Sequence, residues 1–344
     1  MDRPQKTEGT MGEVRTSSLT QANLASGSNL DSTSASRGSE TTTTTPPSQS
    51  SYQPFLGKSN DLVVPPNARI IRPRSLNDIY DAIEDLKAEL DTHTVETHIP
   101  RPSQFIWAYQ IPQGLFTQIE TDLELFPGVR TTIAHTDFAV LLKIMPGRQY
   151  ERIIGNFRLI VMGHLNTMGL SLQNGDFTDQ GAERTRGFLQ SKEPDWAFGP
   201  YDARINSAAD EYPATEYPSL ILETGFSESL GQLQLDAHWW YRNTTQETKI
   251  VVLIDVASDN PYRVNFEVWT EVPNQSHAPV TRNRPAQVFQ CTQRATLQNG
   301  VVTGGPLILS FPTLMWRAPR AGEHDIVLGA ADLAIIGARP RPAP

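Results

Sequence analysis

The stretch from residue 218 to 256, PSLILETGFSESLGQLQLDAHWWYRNTTQETKIVVLIDV, constrains the fold more than any other part of the chain. The short apolar run Leu220, Ile221, Leu222 has the length of a buried strand and stops at Glu223, which places an ionisable group where that strand leaves its sheet. After Gly225, Ser227 or Ser229 is suited to cap a helix whose apolar residues Leu230, Leu233, Ala237, Trp240 and Tyr241 recur at intervals of three and four. The run from Lys249 to Val256 is too rich in β-branched residues for a sheet with one wet face and reads as a central strand. A strand, a helix and a strand in this order imply a parallel pair and an α/β fold.

The remainder of the 344 residues divides by composition. The first fifty contain 20 Ser or Thr and no aromatic residue, so they cannot bury enough apolar surface to offset the entropy of ordering. Residues 1–60 are therefore expected to be a disordered Ser/Thr-rich tail, 61–135 a helical and Pro-rich extension, and 136–344 the α/β domain. No apolar window of membrane-spanning length and no signal-peptide core appear, and the one cysteine, Cys291, excludes an internal disulfide. These features predict an intracellular protein, cytoplasmic or nuclear, with no membrane partner. The formal net charge of −9 counts against a sequence-independent nucleic-acid binder, which needs many phosphate contacts from Lys and Arg, but leaves room for an enzyme with a local groove.

Within the extension, residues 75–91 carry Ser75 as a cap and Leu76, Ile79, Tyr80, Ile83, Leu86 and Leu90 on one helical face. The segment TDFAVLLKI, 136–144, reads as a strand ended by the MPG turn. Residues 149–168 form a second long helix with Tyr150, Ile153, Ile154, Phe157, Val161, Leu165 and Met168 on one side and Glu151 in its first turn. A polar stretch to about residue 192 precedes EPDWAF, a Pro-Asp pair leading into a short strand. RVNFEVWTEV, 263–272, alternates and predicts an antiparallel neighbour of the central strand. AQVFQCTQ and PLILSF would extend the sheet, and HDIVLGAADLAII fits a strand or a helix.

Glu151, Asp195 and Glu223 thus lie on three successive elements. If the two strands are neighbours and the helix packs across them, the carboxylates meet at one edge, where a hard divalent ion such as magnesium would be favoured for phosphodiester hydrolysis. The histidines show no metal-ligand spacing, and neither a Gly-rich phosphate loop nor a serine nucleophile elbow is present.

The order LLKIMPGRQYERIIGNFRLIVMGHLNTMGL, EPDWAF, PSLILETGFSESLGQLQLDAHWWY, KIVVLIDV resembles a bacterial family assigned as restriction endonucleases within the PD-(D/E)XK superfamily. The resemblance covers residues 136 to about 272. It implies a restriction-endonuclease-like core, a mixed central sheet flanked by helices, here with extra C-terminal strands. It also implies magnesium-dependent cleavage of nucleic acid, with Asp195 and Glu223 as metal ligands and Glu151 as an accessory acid. The superfamily's lysine is expected two residues after Glu223 or on the following helix. Gly225 holds the first place, and Gln232, Gln234, Asp236, Ala237 and His238 stand on the helix. Gln234 or His238 is the expected replacement, with Lys249 a weaker one; losing a pre-positioned cation removes transition-state stabilisation. Two functions follow: a magnesium-dependent nuclease acting on DNA or RNA, or a catalytically inactive member of the fold that serves as an interaction module for a protein partner.

Overall fold

A computed structural model of the chain describes residues 62–92, 102–145, 147–187, 189–201, 217–226, 230–257, 262–275 and 286–339. The expected tail and the expected caps Ser227 and Ser229 lie outside the described residues.

The elements run β1 (Arg69–Ile71), α1 (Leu76–Thr92), β2 (Phe105–Ala108), α2 (Gln113–Thr121), β3 (Val129–Ala134), β4 (Ala139–Ile144), α3 (Gly147–Thr167), β5 (Phe177–Gly181), β6 (Thr185–Arg186), β7 (Gln190–Lys192), β8 (Trp196–Pro200), β9 (Leu220–Gly225), α4 (Leu230–Asn243), β10 (Ile250–Ala257), β11 (Arg263–Pro273), β12 (Gln287–Gln298), β13 (Val301–Gly304), β14 (Leu307–Leu309), α5 (Phe311–Met315), β15 (Ile326–Leu328) and α6 (Ala330–Ile336). They build an α/β architecture of mixed sheets flanked by helices.

The larger sheet has the order β13-β12-β11-β10-β9-β8-β5. Its heart is the expected unit: β9 and β10 pair in parallel, with α4 as the crossover, and β10 is the central strand. Both faces of β10 are covered, which is why its run from Ile250 to Ile254 is continuously apolar. Ile250, Val252 and Ile254 meet Tyr150, Phe157 and Leu165 of α3, whereas Val251 and Leu253 meet Leu233, Ala237 and Trp240 of α4. β11 pairs antiparallel with β10, as its alternation predicts.

The second sheet, β1-β2-β4-β3-β7-β6, was not legible as such. It joins strands from both sides of residue 136, so the boundary drawn there from composition runs through a sheet rather than between domains. Four of its strands, β1, β2, β6 and β7, are two to four residues long, too short to leave a hydrophobic period, and the polar stretch before residue 192 turns out to supply β5, β6 and β7. Ile106, Leu142 and Ile144 on one face of this sheet pack against Ile79, Ile83 and Leu86 of α1 and Phe116 of α2. The α1 cap matches its reading: the Ser75 hydroxyl accepts from Asp78 N–H at 3.4 Å while the Asp78 carboxylate accepts from Ser75 N–H at 3.1 Å.

Two C-terminal expectations change. PLILSF does not extend the large sheet, because β14 pairs only with β15. HDIVLGAADLAII is both a strand and a helix, divided at Gly329, whose N–H donates to Asp332 at 3.0 Å.

Candidate active site

The strand β4, AVLLKI, is buried at every position, yet its fifth residue is a lysine. Side chains alternate across a strand, so Lys143 points away from Leu142, Ile144 and the α1 helix. It enters the space between the two sheets. Its register partners Phe105 and Arg130 stand on the same side, as do Leu141, Thr132 and Lys192 in the next row. The second sheet therefore presents three cations, Arg130, Lys143 and Lys192, towards the first.

The large sheet and α4 present the acids. β9 runs two residues beyond Glu223, so this carboxylate sits inside the strand and not at its exit. It shares the α4 side of the sheet with Ile221. Asp195 immediately precedes β8, the antiparallel neighbour of β9. On α4 the positions facing the pocket are Gln232, Leu235, Asp236 and Trp239, a stripe spaced three and four apart.

Lys143 holds these parts together. Its Nζ lies 3.3 Å from Asp195 Oδ2 and 3.4 Å from Glu223 Oε2. Lys192 Nζ lies 3.4 Å from Glu223 Oε1 and 2.6 Å from Asp236 Oδ1. Asp195 Oδ2 also accepts from the Thr224 N–H at 2.6 Å, the Thr224 hydroxyl at 2.8 Å and the Tyr150 hydroxyl. The indole N–H of Trp240 donates to Glu223 Oε1 at 2.7 Å. Four side chains of this cluster, Lys143, Lys192, Asp195 and Glu223, are each at most 8% exposed.

Burial divides the two acids. It pushes the Asp195 carboxyl up, but Lys143, Arg130 and the donors from Tyr150 and Thr224 more than offset it, so Asp195 titrates below its ordinary value. For Glu223 burial prevails over Lys192 and Lys143, with Asp195 and Asp236 adding to it, and the carboxyl is raised. Burial also acts to lower Lys192, yet Asp236 and Glu223 raise it above the usual lysine value, so it is a fixed cation rather than a base. Tyr150 is raised well above a normal phenol by burial and by Asp195, and remains a donor.

The structure brings Asp195 and Glu223 onto one lysine. It does not bring Glu151 to them: that side chain is exposed, and the residue before it, Tyr150, is the one whose hydroxyl reaches Asp195. Gln234 and His238 lie on a different face of α4 from the pocket stripe. Gln234 donates to Glu267 Oε2 at 3.1 Å, and His238 packs edge-on to Trp269 at 5.1 Å and to Phe289, with burial and Arg242 lowering its pKa. Lys249 pairs with Glu271 at 3.3 Å. The site lysines were missed because they were sought near Glu223 in sequence. A usable signal was present in the lone charge of β4, a strand with no wet face.

The donors fit a hard cation. Two carboxylates are the number a magnesium ion commonly takes from a protein, the rest of its shell being water and substrate oxygens. Asp195 Oδ1 is buried without a hydrogen-bond partner among the described residues, and Arg130 Nε, equally unpartnered, stands 4.0 Å away. Among the described residues no set of three or more His, Cys, Asp or Glu side chains gathers for a metal. The pocket itself encloses about 30 Å³ between Lys143, Lys192, Glu223, Asp236 and Trp239. No helix among the described residues is long and apolar enough to cross a membrane.

Among solved structures, one that is similar in part is the crystal structure of a "putative nuclease belonging to DUF820" from Anabaena variabilis ATCC 29413, with a TM-score of 0.39 and 14% identity, covering 64% of this chain and 98% of that one. No protein-family model matches the chain, and no curated protein matches it.

Proposed function

We propose that the cluster is a hydrolytic centre for phosphodiester bonds of nucleic acid, dependent on magnesium held by Asp195 and Glu223. The observation that carries this reading is the Lys143 ammonium within 3.4 Å of both carboxylates. Two acids and one lysine are the set that the sequence resemblance implies for such cleavage, here with the lysine supplied by a strand of the second sheet. A bound magnesium ion would polarise the phosphoryl oxygen and make its water a better nucleophile. Lys143 spaces the two acids and offers positive charge to oxygens that gain negative charge in the transition state. Lys192, held charged by Asp236, does the same from the far side of Glu223. Tyr150 and Thr224 fix the Asp195 carboxylate and keep it ionised.

The test is calorimetric titration of magnesium or manganese into the protein and into Asp195→Asn and Glu223→Gln, beside cleavage of mixed DNA and RNA substrates. Metal uptake and cleavage lost in both variants support the reading; a folded wild type that takes up no ion refutes it.

A second reading, an inactive nuclease-fold protein acting as an interaction module, is favoured by one observation. Asp195, Glu223 and Asp236 are balanced by Lys143, Lys192 and Arg130, so the cluster resembles a closed ion-pair network. Such a network is weak support for stability by itself, since burying its charges costs about as much as their attraction returns.

A further inference from the structure

The pocket is far smaller than the space in which ligands are usually held, which runs from about 300 Å³ upward. Part of its wall comes from neither sheet nor from α4. Leu62 and Val63, ahead of β1, line it together with Lys143 and Glu223, and Val63 adjoins Gln232 of α4. Their attachment is slight. The carbonyl of Val63 accepts from Gln232 Nε2 at 3.5 Å, the outer limit of a hydrogen bond, and the Val63 side chain is 45% exposed. Downstream the segment is anchored by the buried Pro65, by the turn that Ala68 N–H closes on Pro65 O at 3.0 Å, and by β1 at the edge of its sheet.

We infer that residues 62–64 form a strap that closes the Lys143–Glu223 pocket and lifts, with Pro65 as the fixed end, to admit a substrate group. Three features carry it. The strap is irregular chain whose middle residue is exposed and whose neighbours are only half-buried, the kind of segment that opens locally at low cost. Its apolar residues cover a charged pocket whose own walls are rigid strands and a helix. With the strap down, the pocket's space of about 30 Å³ admits water but not a phosphodiester. The covering stands on the geometry alone; that its lifting governs cleavage rests on the phosphodiesterase reading above.

The two parts are tested in the full chain carrying Leu62→Asp and Val63→Asp, with Val63→Gly as a milder second variant. Trp239, 4% exposed and on the pocket wall, reports opening. Its acrylamide quenching is isolated by subtracting the same protein with Trp239→Phe. Quenching of Trp239 should rise in both strap variants while circular dichroism stays that of the wild type; unchanged quenching overturns the strap. If the open form is at most about 10% populated, kcat/KM for cleavage should rise about tenfold in the double variant. Cleavage that is no faster although Trp239 has become accessible overturns the gating role. Greater quenching in a protein that cleaves nothing, wild type included, upholds the strap and removes the nuclease reading instead.

Discussion

Replacing Lys143 by methionine keeps most of the side chain's length and removes the one charge that separates two buried carboxylates. In the native protein its ammonium is 3.3 Å from Asp195 and 3.4 Å from Glu223, and all three side chains are almost wholly removed from water. Removing one partner of a buried ion pair costs about 3–5 kcal/mol, because the charge left behind is neither solvated nor matched. Here two acids are left, of which Glu223 keeps Lys192 and Asp195 keeps Arg130 only at 4.0 Å. A loss in the same range is therefore expected in urea unfolding at pH 7, with an unchanged m-value. Its pH dependence carries the sign. Glu223, already raised by burial, rises further without Lys143, and a group whose folded pKa exceeds its unfolded value of about 4.3 contributes stability that is fully present below that value and is lost as pH rises through the folded pKa. Asp195 is lowered in the native protein, so its contribution is present at neutral pH and is lost on acidification. The Glu223 effect makes the deficit of Lys143→Met shrink as pH falls from 7 towards 5, whereas the Asp195 contribution is lost from the wild type only below about pH 4. Adding Glu223→Gln, which keeps an oxygen for the Trp240 donor, should recover about 1 kcal/mol or more as a coupling energy. A deficit under about 1 kcal/mol, or one indifferent to pH, would refute the view that Lys143 is the ionic keystone of the two sheets.

Four further outcomes follow from the same geometry. Tyr150→Phe removes the hydroxyl that donates to Asp195 and should cost about 1.5–3 kcal/mol while raising the Asp195 pKa, read by side-chain carboxyl NMR. Trp240→Phe keeps the ring in its core but strips the donor from Glu223, and a loss of about 1.5–3 kcal/mol in chemical unfolding is expected. If the chain cleaves nucleic acid, Lys143→Ala should lower kcat by about 10²-fold or more. His238→Ala and Gln234→Ala, which act on the β11 side of α4, should leave kcat close to that of the wild type.

The parts of the protein that were legible from sequence are those whose partners are local. The β9, α4, β10 unit announces itself because a crossover connection fixes parallel pairing and because β10, covered on both faces, is apolar from Ile250 to Ile254. The acids Asp195 and Glu223 were legible for the same reason, since each adjoins a readable strand. Their companions were not. Lys143 reaches them across 52 and 80 residues, through the register of a sheet whose strands are too short or too polar to show a period. A search confined to Gly225 and α4 also met a helix whose stripes diverge. Gln232, Asp236 and Trp239 face the pocket, while Gln234 and His238 face β11. What the local sequence did hold was the lysine of AVLLKI. A charge in a strand without a wet face must meet an opposite charge from elsewhere in the chain. The two acids that already stood out were the candidates for that partner, so the pairing could be inferred from burial even where the register could not.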